Sequence, residues 1–81
     1  MANLNFTSEQ MRAARMLLRW EQKDLASASR LSLPTIKRLE GQLGPVSANA
    51  VTVEAIRRAF LDAGVEFTNG DAPGVRLKKK R

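Results

Sequence analysis

Between Gln22 and Gly41, two short apolar patterns of helical spacing stand only a few residues apart. Leu25 and Ala26 mark the inward face of the first, and Ile36 and Leu39 that of the second. The connection is Arg30-Leu31-Ser32. Ser32 is a preferred N-cap, because its hydroxyl can accept a backbone N–H that the helix leaves unpaired. Pro34 then falls in a first turn, where its missing N–H leaves nothing unsatisfied. Gly41 reads as a natural stop just past the second of these helices. Two short helices joined by about three residues have the geometry of a helix-turn-helix.

The flanking sequence supplies more helices. Residues 1–6 read as a short loose arm. Thr7 and Gln10 form a T-x-x-Q capping pattern, with Ser8 as an alternative cap. Met11, Ala14, Leu17 and Leu18 then recur at helical spacing, which predicts a first helix ending near Trp20, with Trp20 as a partly buried lid. The second helix covers about Gln22–Ser29. After the loop Gly44-Pro45-Val46-Ser47, a fourth helix starts between Ser47 and Thr52. Its stripe is Val53, Ile56, Phe60 and Ala63, and Gly64 ends it. The period then changes to two. Val65 and Phe67, and again Val75 and Leu77, alternate with polar residues around the turn-rich Asn69–Gly74 segment. This predicts a β-hairpin with an apolar face on the bundle and Glu66 opposite Arg76. The expected fold is mostly α: a compact bundle of four short helices containing a helix-turn-helix, followed by a small C-terminal β-hairpin. Residues 1–64 form the helical unit, 65–78 the hairpin, a candidate dimerisation element, and 79–81 a basic tail.

Eighty-one residues allow one small domain, and 43% hydrophobic residues suffice to fold it. There is no cysteine and no histidine. Disulfides and thiolate metal sites are excluded, and the commonest general base and metal ligand is missing. Eight carboxylates are scattered without a nucleophile beside them, and no glycine loop of the phosphate-cradling type precedes a helix. The expectation is therefore no enzyme, no cofactor and no metal. The apolar runs are far shorter than the roughly 20 residues a membrane span needs. The start has no basic, apolar signal pattern, so the expected location is cytoplasmic, without membrane contact. The net charge of +6 is that of a chain that meets polyanions. It is concentrated in Arg76, Lys78, Lys79, Lys80 and Arg81. Residues 1–75 hold nine basic and eight acidic side chains, so composition alone leaves open whether the body meets a polyanion.

In detail, Gln22, Leu25, Ala26, Leu31, Ser32, Thr35, Ile36 and Glu40 match the string Q-x-x-L-A-x-x-x-G-[VL]-S-x-x-T-I-x-x-x-E. On these residues the chain resembles the lambda-repressor-like helix-turn-helix regulators, also called the Cro/repressor or XRE-type family. The resemblance covers roughly residues 9–64. The Gly-Val-Glu-Phe…Gly-Val-Arg-Leu hairpin resembles a short bacterial subgroup. Arg30 stands where the pattern has its turn glycine, at a cost on the order of 1 kcal/mol if φ is positive there. Glu21 replaces the usual Ser or Thr cap before the second helix; it suits the helix dipole but caps poorly.

The resemblance implies double-stranded DNA as partner and the helix at 32–40 as the reader. Its N-terminal turn would enter the major groove, presenting Ser32, Leu33, Pro34, Lys37 and Arg38, with Thr35 near the rim. Arg38 suits bidentate bonding to guanine, Leu33 and Pro34 suit thymine methyl groups, and Lys37 suits phosphate. Gln22 opens the second helix, where the dipole favours phosphate, and similar proteins use such a glutamine to clamp the backbone. Lys23 and the tail residues Lys78, Lys79, Lys80 and Arg81 are further phosphate candidates. Arg15 and Glu40 match positions that form a salt bridge between the first and third helices. The implied function is a sequence-specific transcriptional regulator, repressor or activator, of bacterial or mobile-element type. It would act as a homodimer on a short palindromic operator, alone or with a protein partner at the promoter, and without a small-molecule ligand. The competing expectation is a protein-interaction module of antitoxin or anti-activator type, its hairpin edge adding to a partner's sheet.

Overall fold

Thr7 opens the first helix with a reciprocal cap. Its hydroxyl accepts the Gln10 N–H at 2.9 Å, and Gln10 Oε1 accepts the Thr7 N–H at 2.8 Å. The structure, a computed structural model, describes residues 6–69 and 71–78. Its elements are α1 (Ser8–Leu17), α2 (Gln22–Ser29), α3 (Leu33–Glu40), α4 (Ala50–Asp62), β1 (Val65–Thr68) and β2 (Gly74–Leu77). This is the expected order of four helices and a hairpin.

α1 stops before Trp20. Leu18 is still right-handed, but Arg19 turns to φ +58°. The Arg19 N–H bonds to Met16 O at 3.0 Å and the Trp20 N–H to Arg15 O at 2.9 Å, which closes the helix end. Leu17 is therefore largely exposed rather than inward, while Leu18 packs against the core. α2 ends in the same way, with Arg30 at φ +62°, its N–H on Ser27 O at 3.3 Å and the Leu31 N–H on Ala26 O at 3.1 Å. α3 ends at Glu40 with Gly41 directly after it, as expected. Gly41 is right-handed at φ −80°, and the loop's left-handed residue is Gly44 at φ +75°. Asn49 caps α4 by accepting the Thr52 N–H at 2.8 Å. Val53, Ile56 and Phe60 are buried as the stripe implies, Ala59 joins them, and Ala63 is only half-buried at the helix end.

The strands pair antiparallel, with Val65 opposite Leu77, Glu66 opposite Arg76 and Phe67 opposite Val75. Val65 is fully buried and Phe67 and Val75 pack on the core. Leu77 is 45% exposed, so the hairpin's apolar face gives out at its last position. Gln10 ties α1 to the hairpin: its amide donates to Thr68 O and Gly74 O, both at 2.9 Å.

Phe6 corrects the picture of a loose arm. It is 1% exposed, and its ring stacks on Phe67 at 5.1 Å between centroids. Its carbonyl accepts the Val46 N–H at 3.0 Å, and the Ser8 N–H reaches Gly44 O at 2.9 Å, so the chain before α1 is clasped to the α3–α4 loop. Residues 1–5 of that arm, and Lys79, Lys80 and Arg81 of the tail, lie outside the described residues. Phe60 meets Phe67 edge-on at 5.7 Å and Trp20 in a stack at 6.0 Å, which joins helices and hairpin in one core. Among the described residues no helix is long and apolar enough to cross a membrane.

Candidate nucleic-acid interface

α3 has two unlike faces. Ile36, Leu39 and Glu40, at helical spacing, are buried. Ser32, Pro34, Lys37 and Arg38 are exposed, and Leu33 and Thr35 are half-buried beside them. The helix start is fixed by Ser32, whose hydroxyl accepts the Thr35 N–H at 3.2 Å and lies 2.8 Å from the Thr35 hydroxyl. All six α3-segment residues expected to face a duplex are thus on or at the edge of one outward surface.

Side chains of α1 hold the other end of α3. The last carbonyls of a helix have no partner within it and must find one elsewhere. The buried Ser8 hydroxyl donates to Leu39 O at 2.8 Å, and the Arg12 guanidinium donates to Glu40 O. Arg15 then grips the Glu40 carboxylate with two bonds, Nε to Oε2 at 2.8 Å and Nη2 to Oε1 at 3.0 Å, and donates a third to Trp20 O at 2.9 Å. Glu40 is 4% exposed, so this pair is shielded from water on the carboxylate side. Ser8 and Arg12 were not legible in this role. Contacts to backbone carbonyls leave no periodic trace in a sequence.

Gln22 stands at the first turn of α2 and donates from Nε2 to Glu40 Oε1 at 3.1 Å. A primary amide has two N–H donors. One is committed to Glu40, which orients the group, and the second is available to an acceptor outside. Glu21 takes the N-cap position, as its place in the sequence implies. Its own N–H is satisfied by the Asp24 carboxylate at 2.8 Å, a contribution the sequence reading missed. Lys23 lies 3.5 Å from the Glu21 carboxylate, both side chains well exposed. Lys78, read as part of a basic tail, sits instead beside the hairpin, 3.5 Å from Glu66, which also binds Arg76 at 2.7 Å.

The distribution of paired and unpaired charge separates one region from the rest. Arg12, Arg15, Lys23, Arg57, Arg58, Arg76 and Lys78 each have a carboxylate within 4.0 Å. Among the described residues Arg19, Arg30, Lys37 and Arg38 have none, and all four are exposed. They fall within one stretch that begins at the end of α1 and finishes in α3. Three carboxylates elsewhere, Glu9, Glu54 and Glu66, are engaged. The Arg57 guanidinium holds the Glu54 carboxyl below its usual range, and Arg76 does the same for Glu66. Glu9 is lowered by backbone amides of its own helix start and of Gly44. A cavity of about 390 Å³ between α1 and the hairpin is lined by Thr7, Gln10, Ala13, Pro73 and neighbours, with Glu9 as its one carboxylate. Among the described residues no cluster of three potential metal ligands occurs. In comparisons with known proteins, no family model matches the chain and no curated protein matches it.

Proposed function

We propose that this chain is a sequence-specific double-stranded DNA-binding transcriptional regulator that reads its site through the helix at 32–40. The observation that carries the reading is the collection of exposed, unpaired cations around the helix-turn-helix, while the described cations of α4 and the hairpin are each paired with a carboxylate, two to Glu54 and two to Glu66. Unpaired, exposed positive charge attracts a phosphate backbone and sets the salt dependence of binding. Lys37 and Arg38 supply donors on the outward face of α3, and Leu33, Pro34 and Thr35 supply apolar and hydroxyl contact beside them. The bonds from α1 to Leu39 and Glu40, and from Gln22 of α2 to Glu40, hold that face at a fixed attitude, which base readout needs. One such helix reads only a few base pairs. A homodimer reading two half-sites about 34 Å apart restores specificity.

The test is equilibrium binding of the chain to operator-length duplexes recovered by selection from random sequence. Arg38→Ala weakens the selected site by roughly 1–3 kcal/mol and relaxes preference at one base position. Lys37→Ala weakens all sequences about equally and lowers the salt slope by about 1. A chain whose duplex binding is absent, or unchanged by both substitutions, removes the proposal. A tight protein complex insensitive to salt would support the protein-interaction module instead.

A further inference from the structure

Three helix exits pass through the left-handed region, and they are filled differently. Gly64 follows α4 at φ +99°, whereas Arg19 follows α1 at +58° and Arg30 closes α2 at +62°. The two arginine exits share one hydrogen-bond frame. The left-handed residue bonds three residues back and its successor five back: Arg19 to Met16 and Trp20 to Arg15, Arg30 to Ser27 and Leu31 to Ala26. Glycine is the usual residue at that position because a β-carbon is strained there. Among the described residues neither guanidinium has a hydrogen-bond or ion-pair partner, and both are exposed. Strain retained at an exposed position without an internal polar partner points to a ligand outside the chain.

The two residues bracket α2, which packs on α3. Arg19 precedes its first residue, Gln22, by three positions, and Arg30 directly follows its last, Ser29. The eight residues between rise about 12 Å, enough to set the two cations against separate phosphates of one strand. The start of α2 also carries Glu21 and Asp24, with Lys23 paired to Glu21. A phosphodiester approaching Gln22 meets those carboxylates, and Arg19, three positions before Gln22 and unpaired among the described residues, supplies a cation that offsets the repulsion. We infer that Arg19 and Arg30 bind DNA phosphodiesters at the two ends of α2, and that they stand in place of glycine for that purpose. The inference rests on the duplex-binding reading above and adds two contacts to it.

Because the same residues strain the fold and bind the ligand, stability and affinity respond oppositely to substitution. The probe is a random-sequence duplex of about two helical turns, titrated with the full chain by fluorescence anisotropy at several salt concentrations. Arg19→Gly and Arg30→Gly leave Tm unchanged or raise it by up to about 6 °C. Each weakens duplex binding roughly 3–10-fold and lowers the slope of log K against log salt by about 0.9 per subunit. Arg→Asn at either site, which tolerates the backbone and lacks the charge, behaves like glycine; Arg→Lys keeps the slope. Glycine variants with the wild-type slope, or lysine variants that lose as much slope as glycine, overturn the inference. Wild-type binding that depends on Arg38 but not on Arg19 or Arg30 overturns it alone, whereas a wild-type chain with no salt-dependent duplex binding sinks both readings.

Discussion

Replacing Glu40 by alanine tests how α3 is held. The carboxylate accepts two bonds from Arg15 and one from Gln22, and it is 4% exposed. Breaking a buried ion pair by removing one partner costs about 3–5 kcal/mol when the survivor stays buried and unpaired. Here the survivor is Arg15, whose side chain is 16% exposed and which keeps the Trp20 carbonyl. Partial hydration lowers the figure, so Glu40→Ala destabilises the fold by about 2–3 kcal/mol. Arg15→Ala is at least as costly, about 3 kcal/mol, because it strands the more deeply buried group with Gln22 as its remaining donor. A domain of this size holds roughly 4–12 kcal/mol in total, so either variant still folds in water but with a large loss. In urea the midpoint falls by about 2 M at a slope near 1–1.5 kcal/mol/M. The double variant has no stranded charge and loses little more than one single. The cycle therefore yields a coupling of about 2 kcal/mol. Single effects that add within about 0.5 kcal/mol would show that Arg15 and Glu40 do not act as a pair, and the account of how α1 fixes α3 would fail with them.

Ending the chain after Gly64 removes Val65, which is fully buried, and Phe67, which stacks on Phe6 and meets Phe60. At about 1.5–3 kcal/mol for each buried side chain this approaches the whole stability, so the truncated chain loses its cooperative thermal melt by circular dichroism; a melt near the wild-type Tm would refute the single-core account. Acid acts through Glu9, Glu54 and Glu66, whose carboxyls are lowered from 4.5 in the fold. A lowered folded value means stability that is present above about pH 4.5 and is lost as pH falls through the folded values, so Tm declines as the pH is taken below about 4.5. With no histidine, Tm is flat from about pH 6 to 7; a steep change there, or none in acid, contradicts the assignment.

Local chemistry wrote the helix-turn-helix into the sequence, and tertiary chemistry did not write the rest so plainly. α2 and the start of α3 follow from an apolar pair and a Ser32 cap, both readable within a few residues. The end of α1 was misplaced because Leu17 and Leu18 continue the apolar pattern while the backbone has already been closed by the turn at Arg19. Phe6 was hidden for the opposite reason. A single aromatic in a polar stretch has no period, and its burial depends on Phe67, far along the chain. Arg15 and Glu40 are 25 positions apart, and only the resemblance to a known pattern joined them. Gln10 was read as a cap, which it is, but the same amide also satisfies two hairpin carbonyls.

Charge shows most clearly what a linear count conceals. Residues 1–75 are nearly balanced, which by itself argues neither for nor against a polyanion. Folding sorts that balance in space. Glu54 takes both Arg57 and Arg58 within α4, Glu66 takes Arg76 and Lys78 across the hairpin, and Glu40 takes Arg15 into the core. Each of these carboxylates offsets one unit of positive charge, so Glu54 and Glu66 each offset half of the pair of cations beside them, and among the described residues the cations with no carboxylate within 4.0 Å are Arg19, Arg30, Lys37 and Arg38. A stretch whose charges nearly balance, as in residues 1–75, can therefore still hold several unpaired cations. Exposed pairs contribute little to stability. Their larger consequence is electrostatic contrast: on the proposed duplex-binding reading, a duplex near α4 or the hairpin meets partly offset charge, whereas one near the helix-turn-helix meets unpaired cations, which orients the encounter before any base is read.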